Sequence, residues 1–295
     1  MKNNIIVLIV TYNRLELLKQ CLKRYEELKI KPSKILVVDN NSTDQTKEFL
    51  KNWINIKDIF EKEVLFLKEN IGGSGGFYTG MDKILKNESE KYQWIYISDD
   101  DAFPKEDLFE KFNDIKKEKG TGAICAKVIN NGKIDLMHRK RINKKFKENF
   151  ILEEEYQKEY FEVDLSSYVG TFINIDCLKD IGLPEKDYFI WYDDTEHFYR
   201  ISRKYKILCF SNLEVEHNVG NSNAGFSWKT YYGIRNKVHM LKKHMSKKDF
   251  FIYSLKQKYR MKSKFLRKKI SREEYDCFKE AFSDAVSNKL GEREK

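Results

Sequence analysis

The first hundred residues alternate short β-branched segments with longer polar segments, and this alternation restricts the fold more than any other feature. The apolar segments lie at Ile5–Val10, Lys34–Asp39, Val64–Lys68 and Trp94–Ser98. The segments with helical spacing lie at Arg14–Leu28, Asp44–Asn52 and Gly75–Asn87. Strands that alternate with helices predict an α/β fold, Rossmann-like, with a mostly parallel sheet flanked by helices.

The rest of the chain is less regular. Residues 110–165 are charged and show no clear periodicity. Further strands are expected in Tyr168–Ile175 and Ile207–Phe210, with a helix at Cys177–Ile181 between them. From Tyr231 onward the Lys-rich pattern predicts a helical C-terminal extension. We therefore expect a main domain over residues 1–230, with halves at about 1–105 and 106–230, and a basic helical region over 231–295.

The composition indicates a folded protein with reduced thiols. Apolar residues make up 41% of the chain, and there are only three prolines. Five cysteines lie far apart without a C-x-x-C pair, which argues against a zinc site and for a reducing compartment. The apolar run at Ile5–Val10 is too short for a signal peptide and is better explained as a buried strand.

The net charge of +10 is concentrated at one end of the chain. Residues 235–295 contain 19 Lys and Arg against 8 Asp and Glu, so the remainder is close to neutral. Interspersed aromatic residues give three interpretations of this region. It could contact an anionic membrane surface, bind nucleic acid, or form a solvated helical surface packed on the main domain.

Polar loops follow all four strands of the first hundred residues. Their sequences are TYNR, DNNSTD, NIGGSGGF and DDDA, in chain order. Because ligands bind at the carboxyl ends of strands in open α/β sheets, we expect these loops to converge on one site.

Three adjacent carboxylates, Asp99, Asp100 and Asp101, end the fourth strand. A divalent ion would relieve their mutual repulsion, and Asp99 and Asp101 could share it because they point the same way in an extended segment. A solvated acidic turn, or a cap for a helix at Pro104–Phe112, explains the same residues without a metal.

The other loops also allow two interpretations. Asp39 could accept hydrogen bonds from a pyrimidine ring, and Thr11 and Asn13 could contact the same ligand. In the alternative, Ser42 or Thr43 caps a helix at Asp44–Asn52, and Thr11 and Asn13 have a similar capping role. The two interpretations can hold together. The glycines of NIGGSGGF could bring backbone N–H groups to an anion, or permit tight helix packing.

A second acidic group occurs in FIWYDDTEHFYR, where Asp193 and Asp194 follow two aromatic residues. One of them could act as a general base, or both could simply favour a helix N-terminus. Glu196 and Arg200 are expected to form a structural pair. His217 alone is more simply structural, although its imidazole would suit a Mn²⁺ site with two aspartates.

Taken in order, these motifs resemble the inverting, nucleotide-sugar-dependent glycosyltransferases of family 2, which have the GT-A fold. The resemblance covers about residues 4–236 and rests on IVTYNR, VVDNNSTD, NIGGSGGF, ISDDDAF, GTFIN, FIWYDDTEHFYR, VEH and YYGIRN. Within the family, the chain is most similar to bacterial galactofuranosyltransferases, followed by rhamnosyltransferases.

The resemblance implies a role for each matching residue. The donor nucleotide would be bound by Thr11, Tyr12, Asn13, Arg14, Asp39, Asn70, Gly72, Gly73 and Asp100. Asp99, Asp101 and His217 would hold Mn²⁺ or Mg²⁺. Asp194 would be the catalytic base, with Asp193 as second candidate, and Trp191, Gly170 and Thr171 would border the acceptor.

The resemblance further implies UDP-galactofuranose as the donor, with dTDP-rhamnose as the alternative. The acceptor would be a saccharide, usually lipid-linked, in surface polysaccharide assembly. The enzyme would then be cytoplasmic, with a peripheral position on the inner face of the bacterial plasma membrane, and no nucleic acid is expected as a partner. A nucleotidyltransferase or a non-catalytic carbohydrate- or nucleic-acid-binding protein would explain fewer of the loops.

Overall fold

The computed structural model describes residues 4–217 and 225–293. The strands in these ranges are β1 (Ile5–Thr11), β2 (Lys34–Asp39), β3 (Glu61–Phe66), β4 (Trp94–Asp99), β5 (Phe103–Pro104), β6 (Thr121–Asn130), β7 (Lys133–Ile134), β8 (Arg139–Ile142), β9 (Glu148–Phe150), β10 (Tyr160–Val163), β11 (Leu165–Ser166), β12 (Thr171–Asn174) and β13 (Lys206–Glu216). The α-helices are α1 (Leu15–Glu27), α2 (Thr46–Trp53), α3 (Gly72–Asn87), α4 (Leu108–Asp114), α5 (Ile175–Ile181), α6 (Asp193–Ser202), α7 (Trp228–His244), α8 (Lys247–Leu266) and α9 (Arg272–Ser287). Short 3₁₀ turns lie at Glu153–Gln157 and Lys186–Tyr188.

Most of the described strands form one mixed sheet in the order β10-β13-β6-β12-β4-β1-β2-β3. β3, β2, β1 and β4 are parallel to one another, and β6 and β13 form a second parallel pair. β12 lies antiparallel between β4 and β6 and so joins the two parallel groups. The predicted α/β fold, with a mostly parallel sheet between helices, is confirmed.

The segment that showed no periodicity contains a central strand. β6 lies inside the sheet between β12 and β13, and it extends over ten residues. The helix expected at Pro104–Phe112 is wrong at its start, because Phe103 and Pro104 pair with β13 and the helix begins at Leu108. Asp101 therefore does not cap this helix. β11, β8 and β9 form a second, three-stranded sheet in that order.

Apolar side chains fill both faces of the sheet. One layer packs α1, α2 and α4 on the sheet, and the other packs α3, α5 and α6. Phe172 of β12 is fully buried in the first layer, where its ring stacks on Phe112 with ring centroids 3.8 Å apart and lies 4.6 Å from the Tyr96 ring. The five cysteines are buried, and none of them is in a disulfide, in agreement with the reduced thiols predicted from the sequence.

The chain ends in three helices, as the Lys-rich pattern predicted. Ser227, Ser246 and Ser271 cap the N-termini of α7, α8 and α9, respectively. α7 and α9 pack together through Val238, Phe278 and other apolar residues. None of the described helices is both long and apolar enough to span a bilayer.

We predict that Phe172→Ala lowers the free energy of unfolding by about 3–5 kcal/mol, because a cavity replaces a stacked ring in the core. Phe150→Ala is the control, since this ring is 51% exposed and its loss should change stability by less than about 0.5 kcal/mol. Urea denaturation of the two variants measures the difference. Equal effects would contradict this account of the core.

Candidate active site

The loops after β1, β2 and β4 meet at one edge of the sheet, as the strand pattern predicted. In the parallel register, Thr11 lies beside Asp39, and Val10 lies beside Asp99. His217 joins this edge from β13, where its backbone N–H donates to the Ile129 carbonyl at 2.9 Å. Side chains that lie far apart in the sequence, from Thr11 to His217, therefore come together at one edge of the sheet.

Asp99, Asp101 and His217 form a cluster that fits a divalent cation. Each offers one ligand atom, and the three atoms lie within 4.8 Å of one another. Nε2 of His217 is 3.2 Å from Oδ1 of Asp101. Burial and the neighbouring Asp101 charge raise the pKa of Asp99, so a bound cation would stabilise its ionised form. Two carboxylates and one imidazole suit Mn²⁺ and, less closely, Mg²⁺.

Asp100 points away from this cluster and is held by the first loop. It is 3% exposed, accepts a hydrogen bond from Oγ1 of Thr11 at 2.7 Å, and pairs with Arg14 at 3.0 Å. The Arg14 guanidinium also contacts Oδ2 of Asp101 at 2.7 Å. Burial raises the pKa of Asp100 to about 6, against the lowering effect of Arg14. Arg14 thus offsets part of the charge of the acidic loop.

Asn13 and Asp39 organise the loop after β2. The Asn13 side chain accepts a hydrogen bond from the Thr43 N–H at 2.7 Å. Oδ1 of the fully buried Asp39 accepts one from the Ser42 N–H at 3.1 Å. In the described residues Oδ2 of Asp39 has no hydrogen-bond partner. The expected helix cap is wrong, because α2 begins at Thr46 with Gln45 at its N-cap position and without a side-chain cap, so neither Ser42 nor Thr43 caps it. Tyr12, which precedes Asn13, is 39% exposed.

The glycine-rich segment begins α3 and contacts a loop that precedes α6. Asn70 accepts hydrogen bonds from Asn40 at 2.8 Å and from the Gly72 N–H at 2.9 Å. Gly72 has φ +74°, and a Cβ built there would lie 2.0 Å from the Phe189 carbonyl oxygen. A Cβ on Gly73 would meet no atom within 4 Å. Tight packing explains Gly72, whereas Gly73 faces open space.

The loop before α6 has an unusual backbone. Phe189, Trp191 and Tyr192 have φ values of 65°, 67° and 69°. Bulky residues rarely adopt this region, and each costs on the order of 1–3 kcal/mol unless the surroundings enforce it. The loop leads directly into Asp193 and Asp194 at the start of α6, so its backbone sets the direction of both carboxylates.

Two buried residues of α7 enforce that backbone. The Asn236 amide donates to the carbonyls of Tyr188, Ile190 and Trp191 at 2.9, 3.0 and 2.8 Å. Arg235 donates to the Tyr188 carbonyl at 3.0 Å from the same helix. Sequence reasoning assigned no role to this pair, although the adjacent Arg and Asn of YYGIRN mark it.

Asp193 and Asp194 face different neighbours. Burial and the Asp194 charge raise the pKa of Asp193, which lies close to the Ser74 hydroxyl and within the field of Asp99. Burial also raises the pKa of Asp194, which accepts hydrogen bonds from the backbone and hydroxyl of Thr195 and is influenced by Lys140 of β8. The charge of Asp99 therefore acts on Asp193, whereas those of Lys140 and Glu148 act on Asp194.

Tyr192 and Trp191, which precede Asp193, contact β9 and α7, respectively. The Tyr192 hydroxyl donates to Glu148 at 3.0 Å, and Lys237 pairs with the same carboxylate at 2.8 Å. Trp191 is 46% exposed, and its ring lies on Gly233 of α7. An exposed aromatic surface therefore borders Asp193 and Asp194.

The remaining predicted residues are buried. Gly170 has φ +66° and packs on Val215, and Oγ1 of the fully buried Thr171 donates to the Ser167 carbonyl at 2.9 Å. The Glu196–Arg200 ion pair is confirmed, with Nε of Arg200 2.9 Å from Oε2 of Glu196.

The family model of glycosyl transferase family 2 matches residues 6–181, more than half of the chain, and the chain belongs to that family. Galactofuranosyltransferase GlfT1 of Mycolicibacterium smegmatis is 32% identical to it over 96 residues. That match spans 32% of this chain and 29% of GlfT1, so it covers less than a third of either protein.

Two solved structures are similar in fold. One is the Pyrobaculum calidifontis mannosyltransferase PcManGT in complex with GDP-Man and Mn²⁺, with TM-score 0.59, 16% identity, and coverage of 82% of this chain and 64% of that one. The other is S. aureus TarS 1–349 in complex with UDP-GlcNAc, with TM-score 0.59, 15% identity, and coverage of 96% and 80%. The expected GT-A fold with a helical C-terminal region is therefore confirmed.

We predict that Gly72→Ala destabilises the protein by about 2 kcal/mol or more, because Ala is strained at positive φ and its Cβ would overlap the Phe189 carbonyl. Gly73→Ala is the matched control, and removing this flexible residue from a helix should raise stability by up to about 1 kcal/mol. Thermal unfolding of both variants measures the contrast. A tolerated Gly72→Ala would show that the contact with the loop is dispensable.

Proposed function

We propose that this chain transfers a sugar from a nucleotide donor to an acceptor hydroxyl, with inversion at the anomeric carbon and with a divalent metal. The observation that carries the proposal is the cluster of Asp99, Asp101 and His217, together with the buried Asp193, on which the charge of Asp99 acts. Membership of glycosyl transferase family 2 supports it. So do the nucleotide-sugar ligands of PcManGT and TarS.

The donor nucleotide is proposed to lie over the loops after β1, β2 and β3. The free Oδ2 of Asp39 is a buried acceptor suited to the N–H of a uracil ring. Tyr12 and the hydrogen-bonded Thr11–Asn13 segment would surround the nucleoside. Gly73 and the backbone of Gly72 would approach the donor, and Asn70 would hold the turn that they form. Asp100 would fix the Arg14 side chain nearby.

The chemistry proposed for this chain is proton removal by a carboxylate. A metal bound by Asp99, Asp101 and His217 would neutralise the diphosphate leaving group. Asp194 would take the proton of the acceptor hydroxyl, which burial favours by raising the pKa of that carboxyl. The hydroxyl oxygen would then attack the anomeric carbon opposite the nucleotide, so no covalent enzyme intermediate forms. Asp193 is the second candidate for the base.

The acceptor is proposed to bind against Trp191, near the buried Gly170–Thr171 turn. The partial match to GlfT1 favours galactofuranose from UDP-galactofuranose, and rhamnose from dTDP-rhamnose is the alternative. A lipid-linked saccharide as acceptor would place the chain in the bacterial cytoplasm, at the inner face of the plasma membrane. In this proposal residues 1–105 bind the donor, 106–230 the acceptor, and 231–295 support the site.

The first test is release of free nucleotide from UDP-galactofuranose, dTDP-rhamnose and UDP-GlcNAc, with Mn²⁺, Mg²⁺ or EDTA. We expect release from one donor only, abolished by EDTA and restored by Mn²⁺. Asp101→Asn should lower the rate by at least about a hundredfold, because it removes a charged ligand. If calorimetry detects neither nucleotide nor metal binding, the proposal is wrong and a non-catalytic binding protein becomes the better explanation.

The second test separates the two candidate bases. Asp194→Asn should reduce sugar transfer by about a hundredfold or more while calorimetry shows unchanged donor binding, since a general base acts only in the transition state. Asp176→Asn is the control, because its carboxylate is exposed on α5. If Asp193→Asn shows the larger loss at equal donor affinity, the base is Asp193.

A further inference from the structure

α8 contacts the rest of the protein along one side only. Phe250, Tyr253 and Met261 are partly buried against Phe278 and other apolar residues of α7 and α9. Farther along, Phe265 stacks on Tyr275 with ring centroids 4.7 Å apart. None of the twenty residues of α8 is fully buried, so the helix rests on the surface instead of entering the core.

The opposite side of α8 presents a stripe of large apolar residues to solvent, which we call the outer face. Its members and their exposed fractions are Phe251 (63%), Ile252 (38%), Leu255 (54%), Tyr259 (77%) and Leu266 (69%). A spacing of three, four and seven residues places them on one side of a helix. A group of large apolar side chains exposed on one helix face is typical of an interaction site.

The charge of the protein is concentrated around this stripe. Residues 247–269 contain a single acidic residue, Asp249, together with ten basic ones. These are Lys247, Lys248, Lys256, Lys258, Arg260, Lys262, Lys264, Arg267, Lys268 and Lys269. In the described parts of the chain none of the ten forms a salt bridge, so the fold leaves this charge for a partner. α9, by contrast, has more acidic than basic residues.

We propose that the outer face of α8 docks on an anionic lipid bilayer. The apolar stripe would enter the headgroup region, and the basic side chains on both flanks would meet lipid phosphates. A second copy of the chain is a poor partner, because it would bring two strongly basic helices together. Nucleic acid would use the charge but would leave the aliphatic side chains of Ile252, Leu255 and Leu266 without a complementary surface.

The docked helix would lie next to the acceptor side of the site, a step that rests on the proposed function. Tyr253 on the inner side of α8 is close enough to Glu148 that burial together with the Glu148 charge raises its pKa to about 12. Glu148 in turn accepts the hydrogen bond of Tyr192, the residue before Asp193. A membrane-anchored acceptor would therefore meet the site from the surface on which α8 rests.

The test is co-sedimentation of the full chain, without donor or metal, with vesicles of phosphatidylcholine alone or mixed with phosphatidylglycerol. We expect binding to the anionic vesicles only, weakened by added salt. Leu255→Ser/Tyr259→Ser should reduce that binding by about tenfold or more, since two large apolar side chains no longer insert. Ile56→Ser/Ile59→Ser, at two exposed apolar positions of the α2–β3 loop, is the matched control and should bind as the parent does.

Absence of binding to anionic vesicles, or equal binding by both double variants, would overturn the proposal. Light scattering on the same samples tests whether the outer face binds a second copy of the chain instead. A parent dimer that becomes a monomer in Leu255→Ser/Tyr259→Ser would assign the outer face to that second copy. The Asp194→Asn variant should bind vesicles unchanged. Vesicle binding is thus measured independently of sugar transfer, and either proposal can fail alone.

Discussion

The hydrogen bonds from Asn236 to three backbone carbonyls of the loop before α6 are the contact on which the candidate site depends. They hold a loop in which bulky residues adopt positive φ, and that loop aims the first two carboxylates of α6. A buried amide that lost these carbonyls would leave several polar groups unpaired, so the arrangement is satisfied as a whole or not at all. The glycine at the start of α3 closes the loop from the other side. The C-terminal helices are thereby part of the active site's framework.

Electrostatic balance is the second constraint. Three adjacent carboxylates, Asp99 to Asp101, lie at one sheet edge, and among the described residues Arg14 and His217 are their ion-pair partners. Asp99, Asp100, Asp193 and Asp194 have raised pKa values, because removal from water and neighbouring negative charges favour their neutral forms. The pKa of Asp101 is lowered instead, because His217 and Arg14 outweigh the effect of its burial. A bound cation would stabilise the ionised carboxylates next to it. The carboxyl groups farther from that cation would keep their raised pKa values.

The sequence predicted the parallel part of the sheet and the residues at its edge well, since β1, β2 and β4 each combine a buried apolar run with a polar end. It did not reveal β6, because its ten residues are surrounded by charged segments and its partners, β12 and β13, lie far along the chain. The conformation of Phe189, Trp191 and Tyr192 was equally inaccessible. Local preference opposes it, and the groups that impose it belong to a helix more than forty residues later.

The one-sided attachment of α8 has a consequence for the dynamics of the protein. Ser246 caps the N-terminus of α8, and hydrogen bonds within the helix stabilise the rest of its backbone. Few tertiary contacts, however, oppose local unfolding of the helix. The helix should therefore unfold and refold locally, at a free-energy cost well below that of global unfolding, while the sheet stays intact. A surface that covers its outer face would stabilise the helical state by mass action, so order in this segment would report whether its partner is present.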